Sequence, residues 1–362
     1  MNYKLSDICN YGRDKIDSSS LTSSTYISTE NMLPNLGGVT LASSMPTISS
    51  VSRFKNGDIL LSNIRPYFQK MIFADFDGGC SNDVLVLRAD EKCILPEYLY
   101  YSLAHKNFFD YVTKTGKGTK MPRGDKAAIM KYEINVPEVY IQQKIIKILS
   151  FIDKKIKNNN RTNDNLFEVC EQLLNQYLSK ASQNSRTIAD FLNIFTGKKN
   201  ANETNPDGKY VFFSCAPETL RSDTYIYDGP AIIIAGNGAY TGRTGFYDGK
   251  MELYQRTYAC VPKNAEIKRL IYGFYIYMKT HFEREKMGGT HGSAIPYIVI
   301  GDITKYEIPY EEDMFKNYAI NVTPLVKKIQ DNITENERLT KLRDTLLPEL
   351  LNGKIGVSNI DI

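Results

Sequence analysis

The stretches IKILSFIDKKIKNNNRTNDNLFEVCEQLL (146–174) and AINVTPLVKKIQDNITENERLTKLRDTLL (319–347) align without a gap at an offset of 173 residues. At alternating spacings of four and three, the first carries Ile145, Leu149, Ile152, Ile156, Asn159, Asn163, Leu166, Cys170 and Leu173. The second carries Tyr318, Val322, Leu325, Ile329, Asn332, Asn336, Leu339, Arg343 and Leu346. This is a coiled-coil seam, interrupted in both copies by two asparagines at the same places. Neither helix hides its stripe from water alone, and each buried Leu or Ile contributes roughly 1.5 to 3 kcal/mol, so pairing the helices is the economical solution. The alternative is that each helix packs on its own domain. The doubled asparagine weakens an apolar seam and is read as fixing register or orientation. Pro324 fits the first turn of a helix, where a missing N–H is tolerated, which puts the second helix start near Thr323, and Pro348 marks its end or a kink.

Outward from the helices the whole chain repeats. KLSDIC (4–9) followed by Gly12 answers TIADFL (187–192) followed by Gly197. GDILLSNIRPYFQK (57–70) answers GPAIIIAGNGAYTGRTGFY (229–247), each a buried strand running into a polar loop marked by Gly or Pro. YLYYSLAHKNFFDYV (98–112) and IYGFYIYMKTHFERE (271–285) read as amphipathic helices with aromatics at near-helical spacing. TGKGTKMP (115–122) is echoed by GGTHGSAIP (288–296), and YEINVPE (132–138) by YEIPYE (306–311). The expected architecture is α+β: two tandem pseudo-repeated globular domains, 1–141 and 181–318, with long helices at 142–180 and 319–352 and a tail at 353–362. An antiparallel pair of helices of about thirty residues, about 45 Å long, would hold the domains at opposite ends as a spacer.

A chain of 362 residues accommodates two cores, and 42% hydrophobic with 24% charged residues excludes general disorder. Its formal charge of +4 gains meaning only where the cations cluster. Between residues 113 and 132 six basic side chains face one acid, Asp125. The six cysteines contain no CxxC and read as reduced, mostly buried thiols of a cytoplasmic protein. MNYKLSDICNYGRDK lacks the apolar core of a signal peptide, and no run approaches a membrane span.

Two related units at fixed separation suit double-stranded DNA, a polymer that repeats every 3.4 Å or so per base pair. Lys114, Lys117, Lys120 and Arg123 are suited to phosphates, and Gly116 and Gly118 permit close backbone approach. Arg65 fits a fork to a guanine edge or a carboxylate brace, and Tyr67 fits stacking or packing. In the second copy Asn237, Tyr240 and Arg243 occupy the strand-exit loop, and Lys286, Thr290, His291 and Ser293 the second loop. For each of these the alternative is a merely solvated side chain.

Catalytic signatures are missing. No Gly-Lys-[Ser/Thr] has the upstream glycine of a mononucleotide loop. Asp207 and Lys209 stand too close for a nuclease metal site, and Glu283, Glu285 and Lys286 read as helix surface. His105, His281 and His291 have no HExxH spacing, so no metal site is expected. GNGAYTGRTG (236–245) lacks GxGxxG spacing, and no Pro-Pro pair exists for an Asn-Pro-Pro-Tyr methyl-transfer loop.

GDILLSNIRP, the YEINVP segment leading into QQKIIKILSFIDKKI (142–156) and, above all, LTKLRDTLLPELLNGKI (339–355) resemble the specificity subunits of Type I restriction-modification enzymes. The resemblance covers nearly the whole chain. It implies two target-recognition domains, each followed by a long helix, the helices forming an antiparallel coiled coil that sets the gap in a split DNA target. It further implies no catalytic centre and no cofactor on this chain. Two methyltransferase (modification) subunits would bind S-adenosylmethionine, and restriction/translocation subunits would use ATP and Mg. The entrance to the second helix, EIPYEEDMFKNYAIN (307–321), departs from the family pattern by lacking the Gln-Gln of the first.

Overall fold

The computed structural model describes residues 1–118, 121–181, 184–289, 291–292 and 294–357. The chain divides into two compact units, 1–157 with 336–362, and 158–335. Each unit therefore joins one globular domain to parts of both long helices.

In the first unit the strand Ile59–Ser62 lies between Met71–Phe73 and Val84–Ala89, with Cys9–Tyr11 beyond, all antiparallel. Ile59 and Leu61 enter the core beneath the helices Pro96–Leu103 and Lys106–Thr115, whereas Leu60 enters a second core with Phe54, Cys80 and Val86. Burial on both faces is why Ile59, Leu60 and Leu61 are apolar without a break where a half-exposed strand would alternate. A second sheet orders Lys15–Asp17, Ser50–Phe54, Gly78–Cys80 and Tyr26–Ile27. The amphipathic stretch expected as one helix over 98–112 is broken at Ala104 and His105, where His105 is extended with φ −142°. No Gly or Pro marks that break. Tertiary packing sets it, by turning both Phe108 and Phe109 into the core.

The second unit is built on a six-stranded sheet in which Tyr227–Ala235 lies between Thr257–Pro262 and Thr244–Leu253. Ile232 and Ile234 face one core and Ala231 and Ile233 the other, the same two-sided burial. Its helix Ala265–Tyr277 continues through a wider turn, Met278–Phe282, to Glu283–Lys286.

The ends of the two domains close alike. Asn2–Lys4 pairs antiparallel with Glu133–Asn135, and Ser185–Thr187 with Glu307–Pro309. Both pairs lead directly into long helices, Val139–Leu178 and Glu312–Leu351.

Within each unit the long helices run antiparallel. In the first, Asn135 Nδ2 donates to Leu351 O (3.2 Å), and Arg343 pairs with Asp153 (3.0 Å), which also accepts from Tyr101 Oη (2.7 Å). In the second, Asn159 donates to Glu335 (2.8 Å) and Asn332 to Asn163 (2.7 Å). Leu149, Ile152, Asn159, Ile329 and Asn332 are buried, while Ile156, Asn163, Leu166, Leu325, Asn336 and Leu339 are half-buried. The two expected packing modes coexist: polar side chains pair across the middle, and the ends sink into domain cores through Leu149 with Leu347, and through Tyr177 with Phe315.

The second helix begins at Glu312, well before Thr323, and Pro324 lies inside it. Burial of Phe315, Tyr318, Ala319 and Val322 outweighs the one hydrogen bond that the proline forfeits. Pro348 is likewise passed before the helix ends at Leu351.

Four cysteines, Cys9, Cys80, Cys170 and Cys260, are buried and free, and desolvation pushes the Cys260 thiol up to about 12. Burial also depresses His105 in the first unit and His281 in the second. Because the unfolded chain protonates these imidazoles near pH 6.5 or so while the fold keeps them neutral, their contribution is complete above that pH and lost as pH falls. The unfolding free energy should therefore drop between about pH 7 and pH 5, and a His105→Gln/His281→Gln variant should flatten that limb in denaturant titrations.

Candidate nucleic-acid interface

In each unit one polar cluster gathers the strand-exit loop and the second loop, which are far apart in sequence. In the first, Arg65 N donates to Pro122 O (2.8 Å), Gly124 N to Asn63 O (3.2 Å), and Lys117 and Arg123 exchange backbone hydrogen bonds (2.8 Å each). In the second, Gly238 N donates to Pro296 O (2.9 Å), Ile298 N to Gly236 O (2.9 Å), and His291 and Tyr297 exchange theirs (3.2 and 3.0 Å). The bridges Ile64–Arg123–Lys117 and Asn237–Tyr297–His291 thus occupy equivalent places. Each second loop also turns on a left-handed glycine, Gly118 (φ 92°) and Gly292 (φ 79°).

The side chains differ in how they are held. Arg65 is exposed, sits at φ 48° before the turn Pro66–Phe68, and has no hydrogen-bond partner for its guanidinium among the described residues. Tyr67 and Phe68 stand exposed beside it with ring centroids 4.7 Å apart. Lys114 ends its helix exposed. Lys117 pairs with Asp125 (2.6 Å), and Arg123 with Asp83 (3.0 Å). Asp125 is held below the usual carboxylate range by Lys117 first and then by the Ala128 and Ala127 amides. Lys120, Thr290 and Ser293 lie outside the described residues.

In the second unit Tyr240 is exposed and Asn237 half-buried. Arg243 folds inward, donating to Ala216 O (2.6 Å), and Lys286 is only 15% exposed against Glu285 (2.7 Å). His291 stacks on Tyr297 (5.2 Å) with Asp302 at 3.4 Å. Sequence reading missed Phe68, Asp83 and Tyr297, and named Asp125 only as the lone acid among the cations, without its pairing to Lys117. Only Tyr297 had a signal, its place directly after the aligned Pro296.

The family model for the Type I restriction modification DNA specificity domain matches residues 1–167 and 182–310. The chain belongs to that family. Among relatives of the specificity family, the Type I restriction enzyme EcoDI specificity subunit of Escherichia coli is 28% identical over 173 residues, 46% of this chain and 37% of that protein. The MjaIX specificity subunit of Methanocaldococcus jannaschii is 23% identical over 314 residues, 74% of this chain and 71% of that one. The crystal structure of the Type I restriction-modification S subunit from M. genitalium matches with a TM-score of 0.55 at 18% identity, over 97% of this chain and 96% of that one, a likeness of fold. Among the described residues no group of three or more His, Cys, Asp or Glu side chains is placed to hold a metal ion, and no helix is long and apolar enough to cross a membrane.

Proposed function

We propose that this chain is the non-catalytic, sequence-specific DNA-binding subunit of a cytoplasmic Type I restriction-modification system. Each domain reads one half of a split target in double-stranded DNA, and the paired helices set the gap. Two methyltransferase subunits carrying S-adenosylmethionine dock on it, and restriction subunits using ATP and Mg join them. The observation that carries this reading is the repeated construction of the two loop clusters, with the same backbone bridges displaying different side chains. Identical scaffolds with different faces are what reading two different short base sequences requires. Random-sequence DNA selection with the purified complex tests it. Two fixed blocks at a constant gap are the expected result, and no enrichment at moderate salt would overturn it.

Within that reading Lys117 and Arg123 reach phosphates once DNA competes with Asp125 and Asp83. Asp125→Ser keeps a helix-capping side chain, since Ser and Asp cap comparably, but deletes the charge that neutralises Lys117. Fluorescence anisotropy should show tighter binding to every duplex and a salt slope steeper by about one. Weaker binding would contradict the phosphate role of Lys117.

A further inference from the structure

Both units open with one construction that the loop clusters leave unused. A short helical turn, Leu5–Ile8 or Ile188–Phe191, is held by the carboxylate of its third residue, Asp7 on Lys4 N (3.2 Å) and Asp190 on Thr187 N (2.9 Å). A strand follows, then a glycine pressed on its neighbour. A Cβ at Gly12 would come within 2.8 Å of Val86 Cγ1, and one at Gly197 within 1.8 Å of Leu253 O. No larger residue fits either place, so the residue after each glycine leaves the sheet at a fixed point. That residue is an exposed cation in both units, Arg13 and Lys198, and among the described residues neither has an acidic partner.

In the first unit the surroundings of Arg13 point to a ligand. It lines a cleft with Tyr11, Lys15, Asn82 and Lys126. Tyr11 Oη donates to Lys126 O (2.9 Å), and Lys126 follows Asp125, the partner of Lys117, so the cleft adjoins the loop cluster. The neighbouring carboxylates are already engaged: Asp14 by Arg88 (3.0 Å) and Lys55 (3.9 Å), Asp58 by Arg88 (2.7 Å), and Asp83 by Arg123 (3.0 Å). Lys15 Nζ has only the Ser52 hydroxyl at 3.4 Å. Three cations spaced along an open cleft, without counter-charges, suit an extended polyanion better than one small anion.

We infer that Arg13, Lys15 and Lys126 are phosphate anchors that grip the DNA backbone beside the bases the first loop cluster reads, and that Lys198, at the equivalent exit after Gly197, is the phosphate anchor of the second unit. This rests on the DNA reading above. Continuity with the loop cluster favours DNA over an acidic protein face.

The test uses the complex with its methyltransferase subunits, the selected duplex and a scrambled duplex. Arg13→Gln, Lys126→Gln and Lys198→Gln should each lower the slope of log affinity against log salt by about one. They should weaken both duplexes by a similar factor and leave the selected bases unchanged, and Arg13→Lys should restore the slope. Unchanged slopes would overturn the anchors, as would loss of methyltransferase subunits from the Gln variants, which would assign the cations to a protein partner. If the unaltered complex selects no sequence, the DNA reading itself fails. If it selects two blocks while the Gln slopes stay put, the anchors alone fail.

Discussion

Phe315→Ala should destabilise the second unit by about 4 kcal/mol, the range for a fully buried Phe truncated in a core. Phe315 is 0% exposed and packs its ring on Phe274 (4.6 Å), Tyr310 (5.3 Å), Tyr177 (5.5 Å) and Tyr318 (5.6 Å). It also lies in the first turn of a helix that contains Pro324, whose missing N–H removes one bond from the ladder. The turns before the proline are therefore held by aromatic burial rather than by local propensity. With Phe315 gone, hydrogen exchange should accelerate first over 315–322, and the helix should retreat toward Thr323. A loss under about 1 kcal/mol in denaturant titration, well below the core-truncation range, would show that the aromatic cluster does not anchor this end.

Arg65→Gly should gain stability and lose specificity together. Arg65 occupies the left-handed region (φ 48°), which costs a side-chain-bearing residue about 1 kcal/mol that glycine avoids. Nothing in the fold recovers that cost, because the guanidinium is exposed and the loop is held by the backbone bond Arg65 N to Pro122 O. An exposed long cation held in a strained backbone position is a candidate for ligand contact. In the DNA reading, a lost bidentate base contact relaxes discrimination by about 1 to 3 kcal/mol, on the order of five- to 150-fold, within one block only. Selection profiles of the variant complex check this. An unchanged first block, or a change in both blocks, would remove Arg65 from base reading.

The long helices, the repeat and the strand-to-loop transitions were legible because each rests on a periodicity: a stripe of apolar residues, or a strand buried on both faces. The start of the second helix was not. Local rules put Pro324 in a first turn, and only the three-dimensional gathering of Phe315, Tyr318 and Val322 with Tyr177 carries the helix past it. The break at His105 was hidden for the same reason. In the candidate site the loops could be named from sequence, but which cations point outward could not. Arg243 and Lys286 read like Arg65 and Lys117 along the chain, yet Ala216 O and Glu285 draw them inward. Partners distant in sequence, such as Asp83 for Arg123, leave no local trace.

The bridges that clasp each loop pair run through main-chain amides and carbonyls: Ile64, Arg123 and Lys117 in one unit, Asn237, Tyr297 and His291 in the other. Main-chain clasps are indifferent to what the side chains are. Outside the left-handed Gly118 and Gly292, exposed residues between the clasps are therefore open to exchange with little penalty to folding, and in the DNA reading one half of the target could be rewritten by point substitution while the other half stays as it was.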